Sequence, residues 1–176
     1  MNLIDVAQFL DSYEFQELKY DKVVINLGAT SISWLAENQN LIEYYQSFTY
    51  GINLLIQGIA TEHMVEGANM IVIGSIAASR SSFDPHYSAI KSSLESFIRS
   101  YSKKLDCDRS IVTLSPSLIE NSKMYNDMDV FTREMHSSRS NNKLLSAEQV
   151  ANLIFALTPA ITSSMNGRSL AIGNDY

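Results

Sequence analysis

Tyr87 and Lys91 stand four residues apart in the run Pro85-His86-Tyr87-Ser88-Ala89-Ile90-Lys91. On a helix, positions i and i+4 project from one face, so this spacing sets an ammonium beside a phenol. A phenol titrating near ~10 is a poor proton donor or acceptor at neutral pH. A neighbouring cation favours the phenolate, which would make Tyr87 usable as a general acid or base. Ser75 closes the apolar run Ile71-Val72-Ile73-Gly74-Ser75, where its hydroxyl could hydrogen-bond the same substrate oxygen. Taken alone, a Tyr-x-x-x-Lys pair fits equally an ordinary amphipathic helix carrying a surface lysine, so the surrounding elements decide.

Those elements alternate. Residues 22–27 form a compact apolar run ending at Gly28, the pattern of a parallel strand buried on both faces. Residues 69–75, 110–114 and 170–172 supply three more short runs of this kind. Between them lie helical periodicities. Leu3, Val6, Phe9 or Leu10 and Tyr13 predict a short opening helix. Residues 40–66 predict a long one, with Leu41, Tyr45, Phe48, Ile52, Leu55 and Ile59 along one side. Residues 86–105 give the clearest stripe, and Pro85 preorganises its start. Ser146-Ala147-Glu148-Gln149 matches a capping box and opens a helix that ends before Pro159. The polar stretch 121–142 fits either a helical substrate lid or a variable surface excursion. Strands alternating with helices imply a parallel sheet with right-handed crossovers.

Composition narrows the function classes. The chain has 176 residues, 45% hydrophobic and 18% charged, enough for one domain with a real core. A net charge of −6 argues against a nucleic-acid surface, which needs clustered Lys and Arg. Lys103, Lys104 and Arg109 gather near a helix end, where the helix dipole favours cations. The single cysteine, Cys107, excludes an internal disulfide, and its neighbours Asp106 and Asp108 oppose thiolate formation. His63, His86 and His136 have no metal-ligand spacing, and His86 alone falls near Tyr87. With no signal peptide and no run long enough to span a bilayer, the expectation is a cytoplasmic protein without membrane or nucleic-acid partners.

In this order the residues resemble the short-chain dehydrogenase/reductase family from the first residue to the last. Asp21-Lys22-Val23-Val24-Ile25-Asn26-Leu27-Gly28 looks like the family's strand and Asn-Asn-Ala-Gly turn, and Tyr50-Gly51-Ile52-Asn53-Leu54 like the helix bearing its active-site Asn. Ser75, Tyr87 and Lys91 match the rest of its tetrad, and Leu114-Ser115-Pro116-Ser117 stands where the family usually reads Pro-Gly. The resemblance implies an α/β fold, a partial Rossmann-like parallel sheet of about four strands with flanking helices, in a single catalytic portion over residues 1–176. It implies catalytic roles for Asn53, Ser75, Tyr87 and Lys91. It also implies NAD or NADP contacts from Asn26, Gly28, Tyr87, Lys91, Pro116 and Ser117. Three departures bear on the nicotinamide geometry: Ser117 replaces Gly, Asn121 stands where a Thr is common, and Leu27 replaces Ala.

The family's opening strand, glycine-rich turn and helix hold the dinucleotide pyrophosphate. None of the 7 glycines here makes such a fingerprint, and none precedes Gly28. The chain therefore resembles the family without its N-terminal cofactor-binding portion, which predicts weak cofactor binding by the isolated chain. Its first strand would lie at an open sheet edge, which invites pairing, so a homo-oligomer or a partner chain is expected. Three functions stay open at this point. One is an NAD(P)-dependent oxidoreductase acting on a small-molecule carbonyl or alcohol. The second is a catalytically silent relative serving as an assembly module, and the third a sugar-nucleotide epimerase or dehydratase.

Overall fold

The computed structural model describes residues 18–27, 41–80, 82, 84–106, 108–140 and 143–173. The expected opening helix, Gly28 and Cys107 lie outside them. Four strands, β1 (Tyr20–Ile25), β2 (Met64–Ile73), β3 (Ser110–Pro116) and β4 (Ser169–Ile172), make one sheet in the order β1-β2-β3-β4. Every neighbouring pair is parallel, so each connection must cross back over the sheet.

Side-chain alternation explains why both faces carry helices. Met70, Val72 and Ile111 point to one face, where they pack with Ile52, Leu55, Ile56, Ile59, Leu94 and Ile98. Ile71, Val112 and Leu114 point to the other, against Val150 and Leu157. Strands buried on two faces read as continuous apolar runs, which is how β2 and β3 are visible in the sequence; β1 and β4, expected to be of the same kind, are edge strands with exposed positions.

The first helical connection starts as α1 (Leu41–Tyr45), passes through a π-helical stretch (Gln46–Gly51) into α2 (Ile52–Gly58), and ends in a second π stretch (Ile59–His63). Periodicity extends this helix to about residue 66 and starts the strand at 69; the structure ends the helix at His63 and starts β2 at Met64. The reason is a ladder irregularity. Met64 pairs with Tyr20, and the next paired residue, Asn69, meets Lys22, so the intervening residues bulge out. Gly67 provides the positive φ of 74° that this bulge requires.

Helix α3 (Pro85–Tyr101) follows β2 and continues as a 3-10 turn (Ser102–Lys104). Two short helices, α4 (Lys123–Asp127) and α5 (Val130–Arg139), occupy the stretch expected as a lid, and neither buries a residue. Helix α6 (Ala147–Ala156) opens with the expected capping box of Ser146 and Gln149. Pro159 does more than stop it. It takes the first turn of a further helix, α7 (Pro159–Ser164), as its fixed φ allows. Lys22 ties β1 to the end of α6 by donating to the Ile154 carbonyl at 2.7 Å.

Candidate functional site

Open parallel sheets bind ligands beyond the carboxyl ends of their strands. Asn26, Ser75 and Ser117 each follow such an end, after β1, β2 and β3. Ser75 has extended backbone, φ −164°, and its Oγ accepts from the Ala77 amide at 3.2 Å, starting a 3-10 turn over Ile76–Ala78. That turn is pinned to α3 by two hydroxyls. Ser88 Oγ donates to the Ala77 carbonyl at 2.5 Å, and Ser92 Oγ to the Ala78 carbonyl at 2.7 Å. Each serine directly follows one of the two residues of interest, Tyr87 and Lys91, so the loop from Ser75 is indexed to both.

The start of α3 is fixed independently. Asp84 Oδ1 accepts from the amides of His86 at 3.0 Å and Tyr87 at 2.9 Å, an N-cap that satisfies two otherwise orphaned donors. Aromatic rings wall the phenol. Tyr44 and Ile90 form a buried pair with Tyr45, Phe48 and Tyr87 packed around it. Tyr45 Oη lies 2.9 Å from His86 Nδ1, which places His86 beside the site and occupied by a tyrosine.

Burial raises the Tyr87 phenol, the Ser75 hydroxyl lowers it through a side-chain hydrogen bond, and the Asp84 charge raises it. Lys91 lies on the same helix face as Tyr87. Its ammonium donates to the Ile73 carbonyl at 3.4 Å and lies 5.8 Å from the Tyr87 ring centroid, beside the ring and without a hydrogen bond to its hydroxyl. Lys91 is itself 3% exposed. Burial depresses its pKa, the carboxylate of Glu95 raises it, and the result is about 8.

The structure thus brings Ser75, Tyr87 and Lys91 together. Asn53 is half-buried on α2 with its Oδ1 sequestered and unbonded, and it makes no hydrogen bond to Lys91. Pro116 and Ser117 are buried at the end of β3, where Ser117 Oγ is also unbonded. Asn26 is exposed. Buried polar atoms without a partner are few in native proteins. The one at Ser117, at the strand end beside Pro116, suits the amide of a nicotinamide, so the residues present fit the cofactor that the resemblance implies.

Three features are missing from the sequence reading. The cap at Asp84 is signalled by Asp-Pro before a helical stripe. The Tyr45–His86 contact and a buried Glu95 have no local signal, because their partners are distant in the chain. At the far end of α3 a cleft of about 480 Å³ is lined by Arg99, Ser102, Lys103, Arg168 and Ser169, among others, and Ser169 links it to Glu95. It is not near the tyrosine, and its cations suit the carbonyl end of the helix. No group of His, Cys, Asp and Glu among the described residues could hold a metal ion. No helix among them is long and apolar enough to cross a membrane.

Residues 19–174 match the sequence profile of a family described as enoyl-(acyl carrier protein) reductase. No protein of curated function matches the sequence. Solved structures do. A blue fluorescent protein from a metagenomic library, in complex with NADPH, superposes with a TM-score of 0.79 at 21% identity, covering 98% of this chain and 71% of that one. A short chain dehydrogenase from Burkholderia cenocepacia, in complex with NADP, gives 0.78 at 22% identity over 99% and 72%. A short-chain dehydrogenase/reductase from Serratia marcescens gives 0.76 at 21% over 98% and 70%.

Proposed function

The chain belongs to the short-chain dehydrogenase/reductase family, and from that premise we propose that it is an NAD(P)-dependent oxidoreductase that interconverts a carbonyl and an alcohol, with Tyr87 as general acid and base. The observation that carries the reading is the meeting of the Ser75 hydroxyl with the Tyr87 phenol at the carboxyl end of β2, with the Lys91 ammonium buried beside the same ring.

The proton inventory supports these roles. Ser75 Oγ accepts from the Ala77 amide, and its own proton, directed at the Tyr87 oxygen in the free chain, turns to a substrate oxygen seated between the two. A carbonyl oxygen bonded to both Ser75 and Tyr87 receives the phenolic proton as negative charge develops on it; in alcohol oxidation Tyr87 takes that proton back. Lys91 spends one donor on the Ile73 carbonyl, which leaves two for the nicotinamide ribose and the phenolate. Asn53 Oδ1 takes a water that relays protons to Lys91, and Ser117 beside Pro116 takes the nicotinamide amide. Asn26, exposed after β1, would contribute to the ribose site. The bound nicotinamide supplies the hydride chemistry; the protein supplies orientation and proton management.

The test is a panel of small aldehydes and ketones, each followed by NADH or NADPH oxidation at 340 nm, with calorimetric titration of both cofactors. Turnover of a carbonyl with weak cofactor binding is the expected result. An aligned, folded protein with neither turnover nor any nicotinamide binding would overturn the reading in favour of a silent assembly module. Association belongs to the same proposal. Among the described residues β1 is paired on one side only, and its Val24 is 43% exposed. A second copy or partner strand along this edge would cover it.

A further inference from the structure

Helix α3 buries a carboxylate one turn beyond Lys91. Glu95 is 8% exposed, and a charge so far from water is costly unless hydrogen bonds or an opposite charge replace the water. Hydrogen bonds replace it here, and Lys91, equally buried, stands four residues earlier on the same helix face. Glu95 Oε1 accepts from Ser115 Oγ at 2.6 Å and from Ser169 Oγ at 2.7 Å, one serine from β3 and one from β4. The two serine oxygens lie 3.0 Å apart. Each hydroxyl carries one proton, so with both directed at Oε1 none is left for the serine–serine contact, and the arrangement suits an anionic acceptor. Gly74 makes room for it. A Cβ there would lie 2.5 Å from Ser115 Oγ and 3.5 Å from Glu95 Oε1. The cluster is therefore built against the backbone residue immediately before Ser75.

We propose that Glu95 is a positioning residue for Lys91: its carboxylate, anchored by Ser115 and Ser169, compensates the buried ammonium and keeps Lys91 charged beside the Tyr87 ring. The catalytic consequence rests on the function proposed above; the charge state of Lys91 does not. The groups facing Lys91 are few. Its own helix presents Tyr87 and Glu95, and β2 presents the Ile73 carbonyl. Among the described residues Glu95 is the charged group that acts on it, countering the burial that draws it down to about 8. From β3 and β4 the groups facing Glu95 are hydroxyls.

The deciding variant is Glu95→Gln, which keeps an acceptor for both serines and removes the charge. The first readout is the titration of the Lys91 side chain by ¹³C–¹⁵N NMR, assigned with Lys91→Met. The second is the alkaline limb of kcat/KM. In Glu95→Gln the Lys91 midpoint should fall by about one pH unit or more, and the alkaline limb should fall with it. Glu95→Asp should restore part of the shift. An unaltered Lys91 midpoint in folded Glu95→Gln would overturn the proposal, whereas a purely structural role would lower the melting temperature and leave the midpoint in place. Should Glu95→Gln fail to fold, Glu95→Leu replaces it, since Ser115 and Ser169 can then bond each other. The same midpoint shift is expected there, with the same overturning outcome. Absence of turnover in the wild type would sink the proposed reaction while the NMR midpoint still decides the role of Glu95.

Discussion

Ser75 meets Tyr87 across the 3-10 turn that leaves β2, and its hydroxyl is the group that counters the burial of the phenol. The i, i+4 spacing of Tyr87 and Lys91 sets both side chains on one face, yet the ammonium turns to the Ile73 carbonyl. In the chain without cofactor the ammonium is thus held by a strand carbonyl and makes no hydrogen bond to the phenol. The lysine holds a place beside the ring, and the strand-end serine acts on the hydroxyl.

Tyr87→Phe and Ser75→Ala should separate proton transfer from substrate orientation. Removing the phenolic proton should lower kcat/KM by roughly 10²–10⁴-fold, with a smaller loss for Ser75→Ala. Tyr87→Phe removes one oxygen from a buried ring, so thermal unfolding should shift by no more than about 1 kcal/mol. Retained turnover in a folded Tyr87→Phe protein would exclude Tyr87 as the acid.

Lys91 should make stability depend on pH in a defined direction. Its pKa falls from the ordinary 10.5 to about 8 on folding, so between those values the unfolded chain binds the proton that the folded one releases. Stability must then rise with pH across that window. Below pH 8 both states carry the proton and the full cost of burying it remains, on the order of 3 kcal/mol at most. Urea unfolding of Lys91→Met against the wild type should show a difference that changes between pH 8 and 10.5 and is flat below pH 7. A flat difference throughout would mean that Lys91 is solvated in the folded protein.

Gly74→Ala should be destabilising by about 1–3 kcal/mol, because overpacking a filled interior forces neighbours to move. The new Cβ would meet Ser115 Oγ and Thr113 Cγ2, each at 2.5 Å, and both belong to the central strand β3. Pairing it with Ser115→Ala should recover part of the loss, measurable as a non-additive double-mutant cycle.

Much of this architecture is legible in the residues. The inner strands β2 and β3 are, because two buried faces leave no polar alternation to confuse with helix, the edge strands β1 and β4 are as short apolar runs, and the capping box at Ser146 marks its helix start unaided. The start of β2 at Met64 is not, since residues 64–68 continue the preceding helical pattern and only pairing with Tyr20 draws them into the sheet. Helix α7 is hidden behind Pro159, which ends one helix and begins the next. Ser75, Tyr87 and Lys91 are visible as a motif within 17 residues of chain. Glu95 is not, because Ser115 and Ser169 are 20 and 74 residues away. A buried acid on an amphipathic helix has no period of its own.

Asp84 allows the cap and the charge at the mouth of the site to be tested apart. Its carboxylate caps α3 through the His86 and Tyr87 amides, and its negative charge raises the Tyr87 pKa. Asn is nearly as good an N-cap as Asp, whereas Ala costs about 1 kcal/mol. Asp84→Asn should therefore keep the melting temperature near that of the wild type while letting the Tyr87 phenol ionise at lower pH. Alcohol oxidation, which uses the phenolate as base, should then reach its plateau at lower pH. Asp84→Ala should show the same displacement together with the loss of stability. Ultraviolet titration of tyrosine ionisation, with Tyr87→Phe as the difference reference, measures the first effect and thermal unfolding the second. If Asp84→Asn leaves both the tyrosine titration and the oxidation profile in place, the carboxylate acts on Tyr87 only through the backbone of α3.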